Sequence, residues 1–423
     1  MARKPAQAAV RVLARVRPHF DGEGSVEGAT LVADPGAASI RLAGLPPASR
    51  RGWAEAYNLD GVFDAAASQA DVYDGAVAHL VAGVLGGAPA TVFTFGPSGS
   101  GKTHTLLGGL AGAACRGVEA ASAGDPVKAW PAAGVAVRVA ADLLTAVQTE
   151  GAGRTIRASI VELYLGTPAD LLAGGIPKAS GAGGGSGGGG QRDGRRSQAG
   201  HQAEGVRLLP SAGGGTKLSG ATAVTLATLP EFCTLLDAAL GRRRTSATKL
   251  NSSSSRSHAV VELAVVGPPS SVDAPAPPTT SFWLFDLVGG EGLGDSEACG
   301  VQEAETKANN RDLHALGLVF AALRRPGYVP FRNSSVTSLL QAALLRGGRA
   351  VMVACVSLAA PLSALKSTLR RAEDARGARA RPGVRSVTEK AGGAGVPKGN
   401  AAARSLAEAA APAPLPSTAA PSP

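Results

Sequence analysis

The sequence predicts an α/β fold in three layers, with a central mostly parallel or mixed sheet and helices on both faces. Three observations carry this. Strand-like and helix-like stretches alternate along the first 380 residues. Some strand-like stretches are apolar almost throughout, as strands buried on both faces must be. One of them, "ATVFTF" (90–95), runs straight into the glycine-rich "GPSGSGKT" (96–103), and "KTHTLLGGLAG" can open a helix after it.

In chain order, "VRVLARVRP" (10–18) reads as a strand stopped by Pro18. In "SQADVYDGAVAHLVAGVLGG" (68–87), Val72, Ala76, His79, Leu80 and Gly83 or Val84 recur at helical spacing, and Gly86 and Gly87 end the run. "RASIVELYL" (157–165), "SHAVVELAVV" (257–266) and "SFWLFDLV" (281–288) are further strands, the last apolar enough for the interior of a sheet. "LPEFCTLLDAALGRRR" (229–244) and "NNRDLHALGLVFAALRR" (309–325) have the pattern of amphipathic helices. Between them, "GAGGGSGGGGQRDGRRSQAG" (181–200) lacks large apolar side chains and predicts a flexible insertion at about 178–205. "VGPPSSVDAPAPPTTS" (266–281) predicts a loop between two strands. The end of the chain, 381–423, is Ala/Pro-rich and basic and predicts a disordered tail. No heptad pattern persists, so no coiled coil is expected.

The net charge of the 423 residues is +10, but it is unevenly spread. Residues 178–207 hold five basic and two acidic side chains, and 379–423 hold six and two. The basic excess thus sits in low-complexity stretches, where it predicts loose contact with a polyanion or plain solvation. Cys115, Cys233, Cys299 and Cys355 are far apart and form no C-x-x-C pair, which argues against a zinc site or disulfide framework and for a reducing compartment. "MARKPAQAAVRVLARVRP" has no apolar centre for a secretory signal, and the longest uncharged run is broken by Gly and Pro. A protein of the cell interior, outside the membrane, is expected.

Gly96, Pro97, Ser98, Gly99, Ser100, Gly101, Lys102 and Thr103 fit G-x-x-x-x-G-K-[ST], the phosphate-binding loop of P-loop NTPases. Glycines let successive N–H groups turn toward phosphate oxygens with no Cβ in the way. The following helix N-terminus adds partial positive charge. Lys102 would reach the β- and γ-phosphates, and the Thr103 hydroxyl would be a Mg2+ ligand. A bare Gly/Ser linker needs neither a strand before it nor Lys-Thr after it.

Such a loop serves kinases, GTPases, ATPases and motors alike, and two later stretches narrow the choice. "NSSSSRSHAV" (251–260) crowds hydroxyls ahead of Arg256 and His258. "LFDLVGGEG" (284–292) ends an apolar strand in Asp286, with Gly289 and Glu291 beyond it. An Asp at a strand tip can hold Mg2+ through water, and a following glycine N–H can sense a γ-phosphate. Alone, each is as readily a turn; their order after a phosphate loop joins them into one site.

Together these stretches resemble a kinesin motor domain over roughly residues 10–376. "RVRP" (15–18) is similar to the family's adenine-side motif, "NSSSSRSH" to its switch I and "DLVGGE" to its switch II. "GPSGSGKTHTLLG" and "TKLNSSSSRSHAV" look closest to Kid-type chromokinesins. The resemblance implies a motor domain over 1–380 that hydrolyses ATP with Mg2+ and binds microtubules, hence cytoplasm and cytoskeleton, with nucleus or spindle as further sites. It implies that Arg15 and Pro18 border the adenine, that Gly96 to Thr103 wrap the phosphates, and that His104 is among the nucleotide-binding residues. Thr103 and Ser255 would bind Mg2+ directly and Asp286 through water. Ser254 would place the attacking water, and Gly289 would sense the γ-phosphate. Arg256 and Glu291 would form the ion pair that closes both switches.

Some positions depart from the family pattern. Gly290 and Gly292 replace expected side chains, and "GLGDSEACG" (292–300) carries Asp295 and Glu297 but no basic residue to meet acidic tubulin. Asn333, Ser335 and Ser338 stand where charged residues are usual, with Arg324, Arg325 and Arg332 as partial compensation. Arg371 occupies an expected aromatic position in the last helix. A kinesin-like ATP-binding adaptor or scaffold is therefore the alternative to a working motor. A small-molecule kinase or GTPase lacks an identifiable acceptor site. Direction, cargo and oligomeric state are not written in these motifs.

Overall fold

The computed structural model describes residues 8–20, 23, 29–45, 53–109, 130–151, 153–173, 205–211, 215–249, 256–268, 278–290, 301–346 and 349–379. The tail 381–423, the insertion at 178–205 apart from its last residue, the loop 292–300, and Cys115 and Cys299 lie outside these residues.

The chain opens with β1 (Arg11–Val16), a small antiparallel unit of β2 (Thr30–Asp34), β3 (Ser39–Ala43) and β4 (Tyr57–Asn58), and β5 (Gly61–Phe63). Two short helices follow, α1 (Gln69–Ala76) and α2 (Ala78–Leu85), then β6 (Ala90–Phe95) and α3 (Lys102–Leu107). The expected single helix over 68–87 is thus divided at Val77, whose φ of −126° and ψ of −39° leave the helical region. The division keeps Val72 and Ala76 on one side, and Leu80 and Val84 on the other, all in the same core.

Helix α4 (Val135–Glu150), β7 (Thr155–Tyr164), β8 (Thr167–Asp170), the hairpin β9 (Arg207–Pro210) and β10 (Thr216–Ser219), and β11 (Val224–Leu226) come next. Helix α5 (Leu229–Lys249) precedes β12 (His258–Val266) and β13 (Thr279–Asp286). The expected loop between these two strands is closed by Gly267 N–H donating to Pro278 O at 2.9 Å. The chain ends in α6 (Val301–Leu323), a 3-10 turn (Phe331–Asn333), α7 (Ser335–Arg346), β14 (Ala350–Val356) and α8 (Leu362–Arg376).

The main sheet runs β11-β7-β12-β13-β6-β14-β1-β5, with β8 paired to β7. From β13 to β5 all neighbours are parallel; from β11 to β13 all are antiparallel, so the sheet is mixed. Alternation along the strands builds two cores. Leu13, Val92, Leu284 and Val353 point to one face, against α1, α2, α4 and α5. Val12, Phe93, Phe285 and Met352 point to the other, against α6, α7 and α8. Phe93, Phe282 and Phe285 are fully buried, each contributing about 2–3 kcal/mol through apolar area removed from water. Because β1, β6, β13 and β14 are parallel, their carboxyl ends share one edge of the sheet, and there Arg17, Gly96, Leu287 and Ser357 emerge together. Crevices of this kind are where α/β sheets bind ligands.

Candidate active site

The loop between β6 and α3 needs its glycines. Gly96 has φ +153°, and a Cβ there would lie 2.2 Å from the backbone oxygen of Cys355 on neighbouring β14. Gly101, φ +94°, caps α3 in a left-handed conformation. Ser100 Oγ donates to Pro97 O at 2.7 Å and closes the loop on itself. Lys102, only 8% exposed, folds its ammonium back across the loop to the carbonyls of Gly96 (3.0 Å) and Pro97 (2.7 Å). A buried positive charge thus rests on two of the loop's own carbonyls.

Asp286, at the tip of β13 and 2% exposed, comes to this loop from across the sheet edge. Its Oδ2 accepts the Thr103 hydroxyl at 2.7 Å, and its Oδ1 lies 3.4 Å from Thr94 Oγ1. Two hard oxygen donors on adjacent elements form a set that suits Mg2+. The guanidinium of Arg243, from α5 and 3% exposed, donates to the same Oδ2 at 3.3 Å. Arg243 also bonds Ser257 Oγ (3.2 Å) and the Ser257 carbonyl, and Ser257 Oγ in turn donates to Glu162 of β7. A buried arginine therefore ties the start of β12 to the end of β13.

Arg256, just before β12, donates to Glu305 Oε2 of α6 at 2.7 Å, and Tyr164 O–H donates to Glu305 Oε1 at 2.8 Å. The expected partner, Glu291, lies outside the described residues, as do Ser254 and Ser255. The observed pair joins the segment just before β12 to α6. Gly289 is buried three residues past Asp286, and Val288 N–H donates to His258 Nδ1 at 3.1 Å.

Beside the loop is a cavity of about 400 Å³, within the range of small-molecule sites, lined by Arg15, Arg17, Pro18, Phe20, Ala65, Ala67, Ser100, Gly101, His104 and Thr105. Pro18 and His104 are on its wall. Arg15 is there too, but its guanidinium is bound to Gln69 Oε1 (2.6 Å), Thr105 Oγ1 (3.0 Å) and Ala67 O (3.3 Å). Arg15 therefore braces the wall. Arg17 stands over the Phe20 ring at 4.8 Å and donates to Gly99 O at 2.8 Å, joining the cavity to the phosphate loop. Desolvation, with Arg15 and Arg17 adding repulsion, pushes the His104 imidazole below its ordinary pKa and favours its neutral form.

The family model of the kinesin motor domain matches residues 15–377. The chain belongs to the kinesin motor domain family. It is 34% identical over 340 residues to the kinesin-like protein KIF12 of Mus musculus, covering 77% of this chain and 47% of that one. It is 30% identical over 372 residues to the kinesin-like protein klpA of Emericella nidulans (85% and 42%), and 29% over 339 residues to KIN-14M of Arabidopsis thaliana (79% and 40%). The chain thus spans less than half the length of these curated relatives. The solved structure of a fast kinesin shares the fold, with a TM-score of 0.66 at 24% identity, over 91% of this chain and 96% of that one. These relatives carry other kinesin names and lend no support to the Kid-type assignment.

Within the kinesin domain, Arg243 and Glu305 are the site residues that the motifs did not single out. "GRRR" ahead of the serine run was the available signal for Arg243. Glu305 had none, because its helix faces the site only in the folded chain. Arg371, in α8, lies 5.8 Å over the Phe95 ring and donates to Leu313 O at 3.3 Å. Ser335 and Ser338 bond the backbone oxygens of Gly166 (2.6 Å) and Phe331 (3.0 Å) and so act within the fold.

Proposed function

We propose that this chain is an ATP-driven microtubule motor domain that hydrolyses MgATP at the shared carboxyl edge of β1, β6, β13 and β14. The observation that carries the reading is the Thr103–Asp286 bond of 2.7 Å beside the buried Lys102 ammonium, which joins the phosphate loop to the strand that leads into switch II. In this proposal the amides of 96–103 bind the phosphates and Lys102 neutralises their charge. Thr103 and Ser255 would hold Mg2+ directly, with Asp286 behind a water; the ion would draw charge off the β- and γ-phosphate oxygens. Ser254 would orient the attacking water, and Gly289 N–H would hold the γ-phosphate. Pro18 and His104 would flank the base, on a wall that Arg15 braces.

Arg256 would exchange partners, from Glu305 here to Glu291 when the switches close on ATP. Closure then trades one ion pair for another that forms only in the nucleotide-bound state, and that difference in contacts can bias a conformational change. Steady-state phosphate release with and without microtubules tests the proposal. Stimulation is expected. Nucleotide binding with no turnover would leave the adaptor reading instead.

A further inference from the structure

His258 and Asp312 form a buried pair beside the candidate site. His258, the first residue of β12, is 1% exposed, and Asp312, in α6, is 3% exposed. Their nearest atoms, Nε2 and Oδ2, are 3.4 Å apart. Neither His258 Nε2 nor Asp312 Oδ1 has a hydrogen-bond partner among the described residues. Burying polar groups in this condition costs free energy, and two apolar side chains of similar volume would pack here without that cost. Unsatisfied buried groups therefore call for an explanation beyond stability.

The other edge of the ring supplies one. Val288 N–H donates to Nδ1, so Nδ1 carries a lone pair and the neutral ring holds its proton on Nε2, facing Asp312. Val288 lies between Asp286 and Gly289, and His258 is two residues past Arg256. The imidazole thus stands where the two switch segments and α6 meet. Helix α6 touches the site twice, through Glu305 on Arg256 and, two turns later, through Asp312 beside His258.

We propose that Asp312 and His258 are positioning residues that couple the position of α6 to the Val288–Gly289 backbone. The contact is a few tenths of an ångström too long and is unsatisfied here. A small advance of α6 toward β12 would close the Nε2–Oδ2 contact, give the His258 N–H its missing acceptor and set the ring, and with it the Val288 amide, in one place. Two arrangements that differ in one buried charge-assisted hydrogen bond differ in energy by enough to bias a switch. This rests on the motor reading above, through the assignment of 286–289 as the phosphate-sensing segment.

The test uses the full chain and the variants Asp312→Asn, His258→Asn and His258→Gln. The Asn oxygen can replace Nδ1 and keep the Val288 bond while losing Asp312; the Gln amide can reach toward Asp312 while losing Val288. Microtubule-stimulated kcat is expected to fall about ten-fold in each variant with KM for ATP within about two-fold, as a coupling of this size implies. The double variant His258→Asn/Asp312→Asn is expected to be no slower than its singles. Hydrogen exchange of the Val288 amide, which needs no turnover, is expected to quicken about ten-fold in Asp312→Asn while the rest of β12 and α6 stays protected. Unchanged Val288 exchange, or exchange that rises evenly across β12 and α6, would overturn the inference. So would stimulated kcat that survives in all three variants. An idle wild type with the expected Val288 exchange would refute the motor reading and leave the coupling standing.

Discussion

Gly96 has no space for a methyl group: the Cβ would meet the Cys355 carbonyl, which β14 holds rigidly. Gly96→Ala is therefore expected to cost about 2 kcal/mol or more and to abolish nucleotide binding, read by thermal melting and a fluorescent-nucleotide titration. Lys102→Ala acts differently, because the loop keeps its glycines and loses the ammonium, with its charge and its bonds to the Gly96 and Pro97 carbonyls. Nucleotide affinity is expected to fall about 10- to 100-fold, the range for a lost charge-assisted hydrogen bond. Arg256→Ala is expected to remove most ATP turnover while leaving affinity largely intact. Glu305→Ala, which strands both Arg256 and the Tyr164 hydroxyl, is expected to destabilise the fold by about 1–3 kcal/mol in chemical denaturation. If Glu305→Ala melts like the wild type, that network does not hold switch I to α6.

Among the elements, α1 shows how local chemistry can be complete in sequence. Ser68 Oγ accepts from Asp71 N–H at 3.1 Å, and Asp71 accepts from Ser68 N–H at 2.8 Å, a reciprocal cap. Ser68→Ala should lower stability by about 1 kcal/mol in urea unfolding, and no measurable change would show that tertiary contacts alone set this end. Helix α4 shows the reverse. Val135 to Ala140 are all buried, so "VAVRVA" has no polar face and alternates no more like a helix than like a strand. Arg138 within it is buried by donating to Ala133 O at 3.0 Å, a contact absent from any local pattern. Strand β14 is a seven-residue apolar run, which periodicity alone does not separate from a buried helix.

In the whole molecule, the two cores meet across one sheet, and a half-buried charge on it should register in global stability. Glu262 lies in the middle of β12, and burial pushes its carboxyl above its ordinary pKa, against a hydrogen bond from Ser281 that acts the other way. Its folded form therefore holds a proton longer than its unfolded form. That contribution to stability is full below the ordinary carboxylate pKa of 4.5 and is lost as pH rises through the raised value. Glu262→Gln is expected to melt about 2 °C higher than the wild type at pH 8, with the difference closing toward pH 4. A constant difference across that range would mean the carboxyl titrates normally.

The sequence by itself determined the phosphate loop, the order of the motifs behind it, and a layered α/β fold, because each depends on neighbours in the chain. A strand, its turn glycines and the helix after them are local chemistry, and apolar alternation selects faces without regard to what covers them. Only the tertiary structure decided that half the sheet is antiparallel, that the Arg15 guanidinium braces a wall, that Arg243 reaches Asp286, and that Arg256 rests on Glu305. Arg15 and Gln69 are 54 positions apart, Arg243 and Asp286 43, and Arg256 and Glu305 49, and no local preference records which distant side chain will occupy the space when the sheet edge closes.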